Sequence, residues 1–342
     1  MKRFISLLLL LALLPLQGAF CCAEEESEAL PRLYSARTRI SAKAFESVDK
    51  TQGINHITSL PQHVYVYVHA LDPTFAYVTS ARDENITGYV KRVCLEWPKV
   101  KDETNTPPYG VEFNHYITSV AADAAPVLSE MGSGETLVTL YKGAKISIIG
   151  FENGYAKLIF HRQYAYIDSN LLESPVPVYY DPESAGTDAP IAAYTSFYKL
   201  TDDEANISRM KNIDTACAKL NAITLHTGDE LNFNRDIGPY SAKNGYFPAP
   251  VLVNEGSKLG YGGGTCQVAS TLYNVVLQLP GLEVLQRRAH GNNGASYLPI
   301  EVDAAVGNKE LNFRYRNRFP YPVRVDASAK DGALTMAIYR AE

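Results

Sequence analysis

Apolar and polar positions alternate most plainly in Val64-Tyr65-Val66-Tyr67-Val68. Residues two apart share one face of a strand, so this run predicts a half-buried β-strand. The pattern returns eighty residues on, where Leu60 matches Leu140, Val66 matches Ile146, Val68 matches Ile148, and Phe75-Ala76 matches Tyr155-Ala156. "GYVKRVCLE" from Gly88 then matches "AYIDSNLLE" from Ala165, after a three-residue change in loop length. Short strands between polar turns, about 55 residues per unit, predict two small all-β barrels in tandem, at 40–97 and 118–174. A polar linker, Pro98 to Pro108, separates them. A second linker at 175–190, rich in proline and tyrosine, follows them.

From about Ile191 the period changes. Ile207, Met210, Ile213, Ala216, Cys217 and Leu220 recur three or four apart, which predicts a helix capped by Thr201 or Asp202. Cys217 falls on its apolar side and reads as a packing residue. A glycine run then leads into a second apolar helix in "YGGGTCQVASTLYNVV", residues 261–276. The tail alternates again, with Lys330-Asp331-Gly332 as a hairpin turn. Residues 191–342 therefore read as an α+β domain with a mainly antiparallel sheet.

The N-terminus adds a compartment. Met1-Lys2-Arg3 is basic, and Phe4 to Leu16 is almost wholly apolar but too short for a stable membrane span. Residues 1–23 are expected to be a secretory signal peptide, placing the mature protein outside the cytoplasmic membrane. Phe20 before Cys21 disfavours lipoprotein anchoring, and no second long apolar run follows. The net charge of -5, with both signs interspersed and no basic stripe, excludes a nucleic-acid partner. Beyond the signal, Cys94, Cys217 and Cys266 are too few for a disulfide scaffold and lack zinc-site spacing. No metal or cofactor has a credible ligand set.

The glycine run carries the candidate chemistry. Gly262, Gly263 and Gly264 permit unusual backbone angles and close approach, and their N–H groups suit an anion-binding turn. A helix starting near Thr265 puts Cys266 in its first turn, where the helix dipole favours a thiolate. His290 follows 24 residues later and Asp303 a further 13, each beside a strand candidate. That order is the layout of a thiol nucleophile, its base and an orienting group. Gln267 and Tyr273 are candidates to contact substrate on the same helix. Three readings of Cys266 stand: a nucleophile, a pocket residue without chemistry, or a structural cysteine.

Two resemblances add to this. "AKLNAITLHTGDELNFNRDIGPYSAKNGYFPAPVLVNEG", "GGGTCQVASTLYNVVL", "GLEVLQRRAHGNNGASYLP" and "FRYRNRFPYPVRVDA" together resemble the VanW-like family, named for a component of some vancomycin-resistance clusters. Where that family often shows G-R-D-A, this chain has Glu301-Val302-Asp303-Ala304, keeping the aspartate and lacking the arginine. The two repeats resemble bacterial SH3-like domains of cell-wall proteins. The resemblances imply an exported, cell-wall-associated protein whose partner is peptidoglycan or its stem peptides. It would be either a cysteine-dependent amidase or transpeptidase with wall-targeting barrels, or a non-catalytic binding or assembly protein.

Overall fold

A computed structural model describes residues 34–38, 41–47, 55–71, 75–91, 94–96, 114–179, 185–253, 256–279, 281–290, 295–298 and 302–342. The expected signal peptide and the expected linker from Pro98 to Pro108 lie outside the described residues. Among the described residues no helix is long and apolar enough to cross a membrane.

The first repeat forms β1 (Tyr34–Thr38), β2 (Ala42–Phe45), β3 (His56–Leu60), β4 (Tyr65–Leu71), β5 (Phe75–Ser80), β6 (Thr87–Lys91) and β7 (Leu95–Glu96). They pair in one antiparallel sheet ordered β3-β2-β6-β5-β4-β1-β7. The second repeat forms β8 (Tyr116–Ser119), β9 (Ala124–Leu128), β10 (Thr136–Tyr141), β11 (Lys145–Ile148), β12 (Gly150–Glu152), β13 (Tyr155–Phe160), β14 (Gln163–Asp168) and β15 (Val176–Pro177). Here the order is β10-β9-β14-β13-β12 in one sheet and β11-β8-β15 in another. With equivalent strands aligned, the two orders are the same, but the second sheet is broken where β12 replaces β11 beside β13. The matched positions are matched in the core: Leu60 and Leu140, Val66 and Ile146, Val68 and Ile148, and Ala76 and Ala156 are all buried. The expected closed barrel is not formed by either repeat among the described residues: β3 and β7 remain the two edges of the first repeat's sheet, and the strands of the second repeat divide between two sheets.

The C-terminal part runs through β16 (Pro190–Phe197), α1 (Glu204–Asn221), β17 (Thr224–Leu225), β18 (Glu230–Asn232), a short α2 (Phe233–Asp236), β19 (Pro248–Val253), β20 (Gly256–Tyr261), α3 (Thr265–Val276), β21 (Leu282–Gln286), β22 (Arg314–Asn317), β23 (Val323–Lys330) and β24 (Ala333–Arg340). Its main sheet is antiparallel, ordered β16-β24-β23-β17. Asp331 and Gly332 take left-handed angles (φ 49° and 86°) and close the β23–β24 hairpin in two residues, which matches the turn read from sequence. The cap of α1 is Asp203, whose carboxylate accepts from the Asn206 N–H at 2.9 Å; Thr201 instead donates to that carboxylate.

β16 is buried at every position because both its faces are covered. Thr195 points to the second repeat, accepting from the Ser147 N–H at 2.7 Å, and Phe197 packs on Phe160 with ring centroids 4.9 Å apart. Ser196 points the other way and bonds Thr271 of α3 at 2.7 Å. The expected linker at 175–190 is structured where it begins: Val176 and Pro177 pair with β8, and Val178 joins a small core with Ala193 and Ala337.

Candidate functional site

Helix α3 begins where the backbone turns left-handed at Gly262 (φ 84°) and Gly264 (φ 106°). A Cβ on Gly262 would sit 2.8 Å from the Tyr240 ring, and one on Gly264 would meet Arg209 of α1 at 3.0 Å. Both angles and both contacts favour glycine. Gly263 is held as closely, with Ala249 and the Pro250 carbonyl where its Cβ would stand and its own carbonyl accepting from Asn212 at 2.9 Å. The three glycines thus let α1, Tyr240 and β19 close around the helix start.

Cys266, partly buried, lies one residue into α3 from Thr265. Its Sγ contacts the Val306 carbonyl at 3.4 Å and the Val306 N–H at 3.5 Å. One turn on, Ser270 exchanges hydrogen bonds with Ala304, donating to the carbonyl at 3.1 Å and accepting from the N–H at 2.9 Å. After another turn Asn274 donates to the Val302 carbonyl at 2.7 Å. Residues four apart stack on one helix face, and backbone groups two apart share one edge of an extended segment. The Cys266/Ser270/Asn274 stripe therefore grips residues 302–306 at alternate positions.

Asp303 lies within that gripped segment, its side chain 0% exposed. Its Oδ2 accepts from the His290 N–H at 2.8 Å and meets His290 Nδ1 at 2.5 Å. Because the carboxylate can only accept, Nδ1 carries the proton of that bond. Arg287 holds the same residue from its other side, with Nε donating to the Asp303 carbonyl at 2.7 Å and Nη2 lying 3.5 Å from Oδ1. The Cys266 side chain lies within interaction range of the imidazole. Burial pulls the His290 pKa down, but the bond to Asp303 and the neighbouring Cys266 outweigh it and raise it to about 10. Burial pushes the Asp303 carboxyl up, but its bonds to His290 and the Arg287 charge hold it below the usual value.

The structure thus gathers Cys266, His290 and Asp303 in one place, with the histidine side chain only 14% exposed. Gln267 and Tyr273 are placed elsewhere. The Gln267 carboxamide is buried, accepting from Arg209 at 2.5 Å and donating to Ser196 and the Phe197 carbonyl, each at 3.0 Å. Both of its donors are engaged inside the protein, so it anchors Arg209 instead of facing a ligand. Tyr273 is buried edge-on to Phe313, with the Arg287 guanidinium 5.1 Å over its ring. It supports the arginine that holds Asp303.

Three further residues converge here that sequence reasoning did not select. Arg209, Tyr240 and Tyr297 lie in electrostatic range of Cys266. Arg209 alone left a trace, as a charge beside the apolar stripe of α1. Among the described residues no group of three or more acidic, histidine or cysteine side chains could hold a metal.

The segment that builds this site has known relatives. Residues 208–339 match the family model described as VanW like protein. The Bacillus subtilis (strain 168) protein YoaR is 30% identical over 140 residues, which is 41% of this chain and 46% of YoaR. The match thus spans about half the length of that relative. Among solved structures, NlpC2 from Trichomonas vaginalis aligns over 92% of this chain and 99% of its own at 11% identity, with a TM-score of 0.16. An NlpC/P60 family protein from Bacillus cereus ATCC 10987 aligns over 88% and 93% at 9% identity, with a TM-score of 0.17. Scores this low carry no argument about fold or chemistry. The sequence match rests on the stretch that supplies Arg209, Cys266, His290 and Asp303, and that stretch is a VanW-like domain.

Proposed function

We propose that this protein is an exported cysteine-dependent acyl-transfer enzyme acting on peptide bonds of the cell wall. The observation that carries the reading is the Asp303 carboxylate, fully buried and bonded to both the backbone N–H and Nδ1 of His290. That arrangement orients the ring through Nδ1 and supports a role for Nε2 in proton exchange with Cys266. With His290 held as an imidazolium at neutral pH, Cys266 reacts as the thiolate partner of that cation and attacks the carbonyl carbon of an amide, forming a C–S bond and an oxyanion. The N–H groups of Thr265 and Gln267 are taken by the Gly262 and Gly264 carbonyls, and that of Cys266 is the candidate donor to this charge. The C–N bond breaks as His290 gives its proton to the leaving amine. Water or a second amine then gives a proton to His290 and attacks the thioester, releasing acid or a new amide and restoring the cysteine.

The resemblance of the repeats to SH3-like domains supports a wall-targeting role for them, as do their exposed aromatics Tyr65, Tyr141 and Phe151. A second reading, non-catalytic wall binding or assembly, is favoured by the packing of Cys266 Sγ against the Val306 backbone. Turnover of purified muropeptides separates the two. Wild-type protein should release a product, and Cys266→Ser or His290→Ala should cut the rate by about 10²–10⁴-fold, in the range for loss of acid–base catalysis. Absence of product from wild type on all wall fragments selects the binding protein.

A further inference from the structure

Arg209 is a partly buried cation beside the candidate nucleophile, and it makes no ion pair among the described residues. Its stem crosses Gly264, where an added Cβ would stand 3.0 Å from Arg209 Cγ. Its Nη2 reaches forward to Gln267 Oε1 at 2.5 Å. The Arg209 side chain therefore brackets Cys266, with its stem beside the residue two before it and its guanidinium bonded to the residue one after it. The Gln267 amide is locked in turn by Ser196 and the Phe197 carbonyl, so Arg209 is held by a rigid support. Tyr198, Tyr297 and the Cys266 sulfur are the neighbours that act on its charge, and none is a carboxylate.

A guanidinium offers five donors in a planar fork, and the bond to Gln267 uses the Nη2 end of it. A charge kept partly out of water without an acidic partner is costly. That cost is offset if a ligand supplies the anion, and the fork matches a carboxylate with two parallel hydrogen bonds. We propose that Arg209 is a substrate-binding residue that receives a free carboxylate carried by the peptide next to the bond Cys266 attacks. The proposal deepens the acyl-transfer reading and rests on it for the word substrate. The site would then accept peptides with a terminal or side-chain carboxyl at that position and discriminate against their amides.

The test is an equilibrium one. The full chain is titrated calorimetrically with N-acetyl-alanyl-alanine and with its C-terminal amide. The acid should bind about tenfold more tightly, as a charge-assisted bidentate contact implies. Arg209→Met should abolish that preference, and Arg209→Lys, which keeps the charge but loses the fork, should retain part of it. Equal binding of acid and amide, binding of neither, or a preference that survives Arg209→Met overturns the proposal. If Arg209→Met does not fold, as judged by circular dichroism, the wild-type pair and Arg209→Lys still decide. A protein that prefers the acid yet turns over no muropeptide would lose the acyl-transfer reading and keep the carboxylate site.

Discussion

Cys266 and Cys217 show how placement separates two thiols of one domain. Cys217 is on the buried side of α1, and burial with the nearby Asp214 charge pushes its pKa up to about 12. Cys266 is partly exposed and lies beside a histidine whose pKa is raised to about 10. The thiolate is the reactive form, so iodoacetamide near neutral pH should modify Cys266 well before Cys217. Mass spectrometry of each peptide over time checks this, and comparable rates would remove the basis for a special thiol. The same histidine gives stability a pH signature. Its folded pKa lies above the ordinary value near 6.5, so its contribution is complete below that pH and is lost as pH rises towards about 10. Asp303→Asn removes the charge that favours the imidazolium. Denaturant unfolding should show the variant destabilised most at pH 6 and the gap to wild type narrowing by pH 10. A gap that stays constant would mean that the pair contributes as a neutral hydrogen bond.

At the scale of elements, one helix and one extended segment set the site. The Cys266/Ser270/Asn274 stripe fixes residues 302–306, and that grip aims Asp303 at His290. Ser270→Ala would leave a buried N–H and a buried carbonyl at Ala304 without their partner, at a cost of about 1–3 kcal/mol. Denaturant unfolding measures that cost, and a change near zero would show that the grip does not order the segment. Some of this was legible in sequence. The strict alternation around Val66, the three-and-four spacing of α1 and the hairpin turn at Asp331-Gly332 each encode local geometry, and each matches the element observed. Gln267 and Tyr273 were read as open to a ligand because a helix pattern does not say what covers its polar positions. Here β16 and α1 cover Gln267, and Phe313 and Arg287 cover Tyr273. Ser270 and Asn274 left a signal at four-residue spacing from Cys266. Small polar residues on an apolar helix need buried partners, but their identity depends on a segment roughly thirty residues away. The open sheets were illegible for a related reason: alternation gives a strand its faces and not the closure of its sheet.

At the scale of the molecule, the second repeat reaches the loop beside the candidate site through Arg162. Arg162, at the turn between β13 and β14, donates Nε to the Leu298 carbonyl at 3.2 Å and Nη2 to the Ala295 carbonyl at 3.3 Å. Those carbonyls flank Tyr297, which lies in electrostatic range of Cys266. The turn is itself seated, with His161 stacked on Phe160 and Phe160 packed on Phe197 of β16. The repeat and the VanW-like domain are further tied through Ser147, Thr195, Thr335 and the Lys145 carbonyl, with bonds of 2.6–3.0 Å. The contacts make the repeat a wall of the VanW-like domain, and Arg162 the residue through which it steadies the tyrosine loop. Arg162→Ala should leave the global unfolding midpoint nearly unchanged, because the buried contacts of β16 remain. It should raise amide hydrogen exchange in residues 295–298 by about tenfold, the consequence of losing roughly 1.4 kcal/mol of local order. Exchange should stay at the wild-type rate in β23 and β24, which pair with each other away from the turn. Unchanged exchange at 295–298 would mean that the loop is ordered by Tyr297 alone and that the repeat only borders the site.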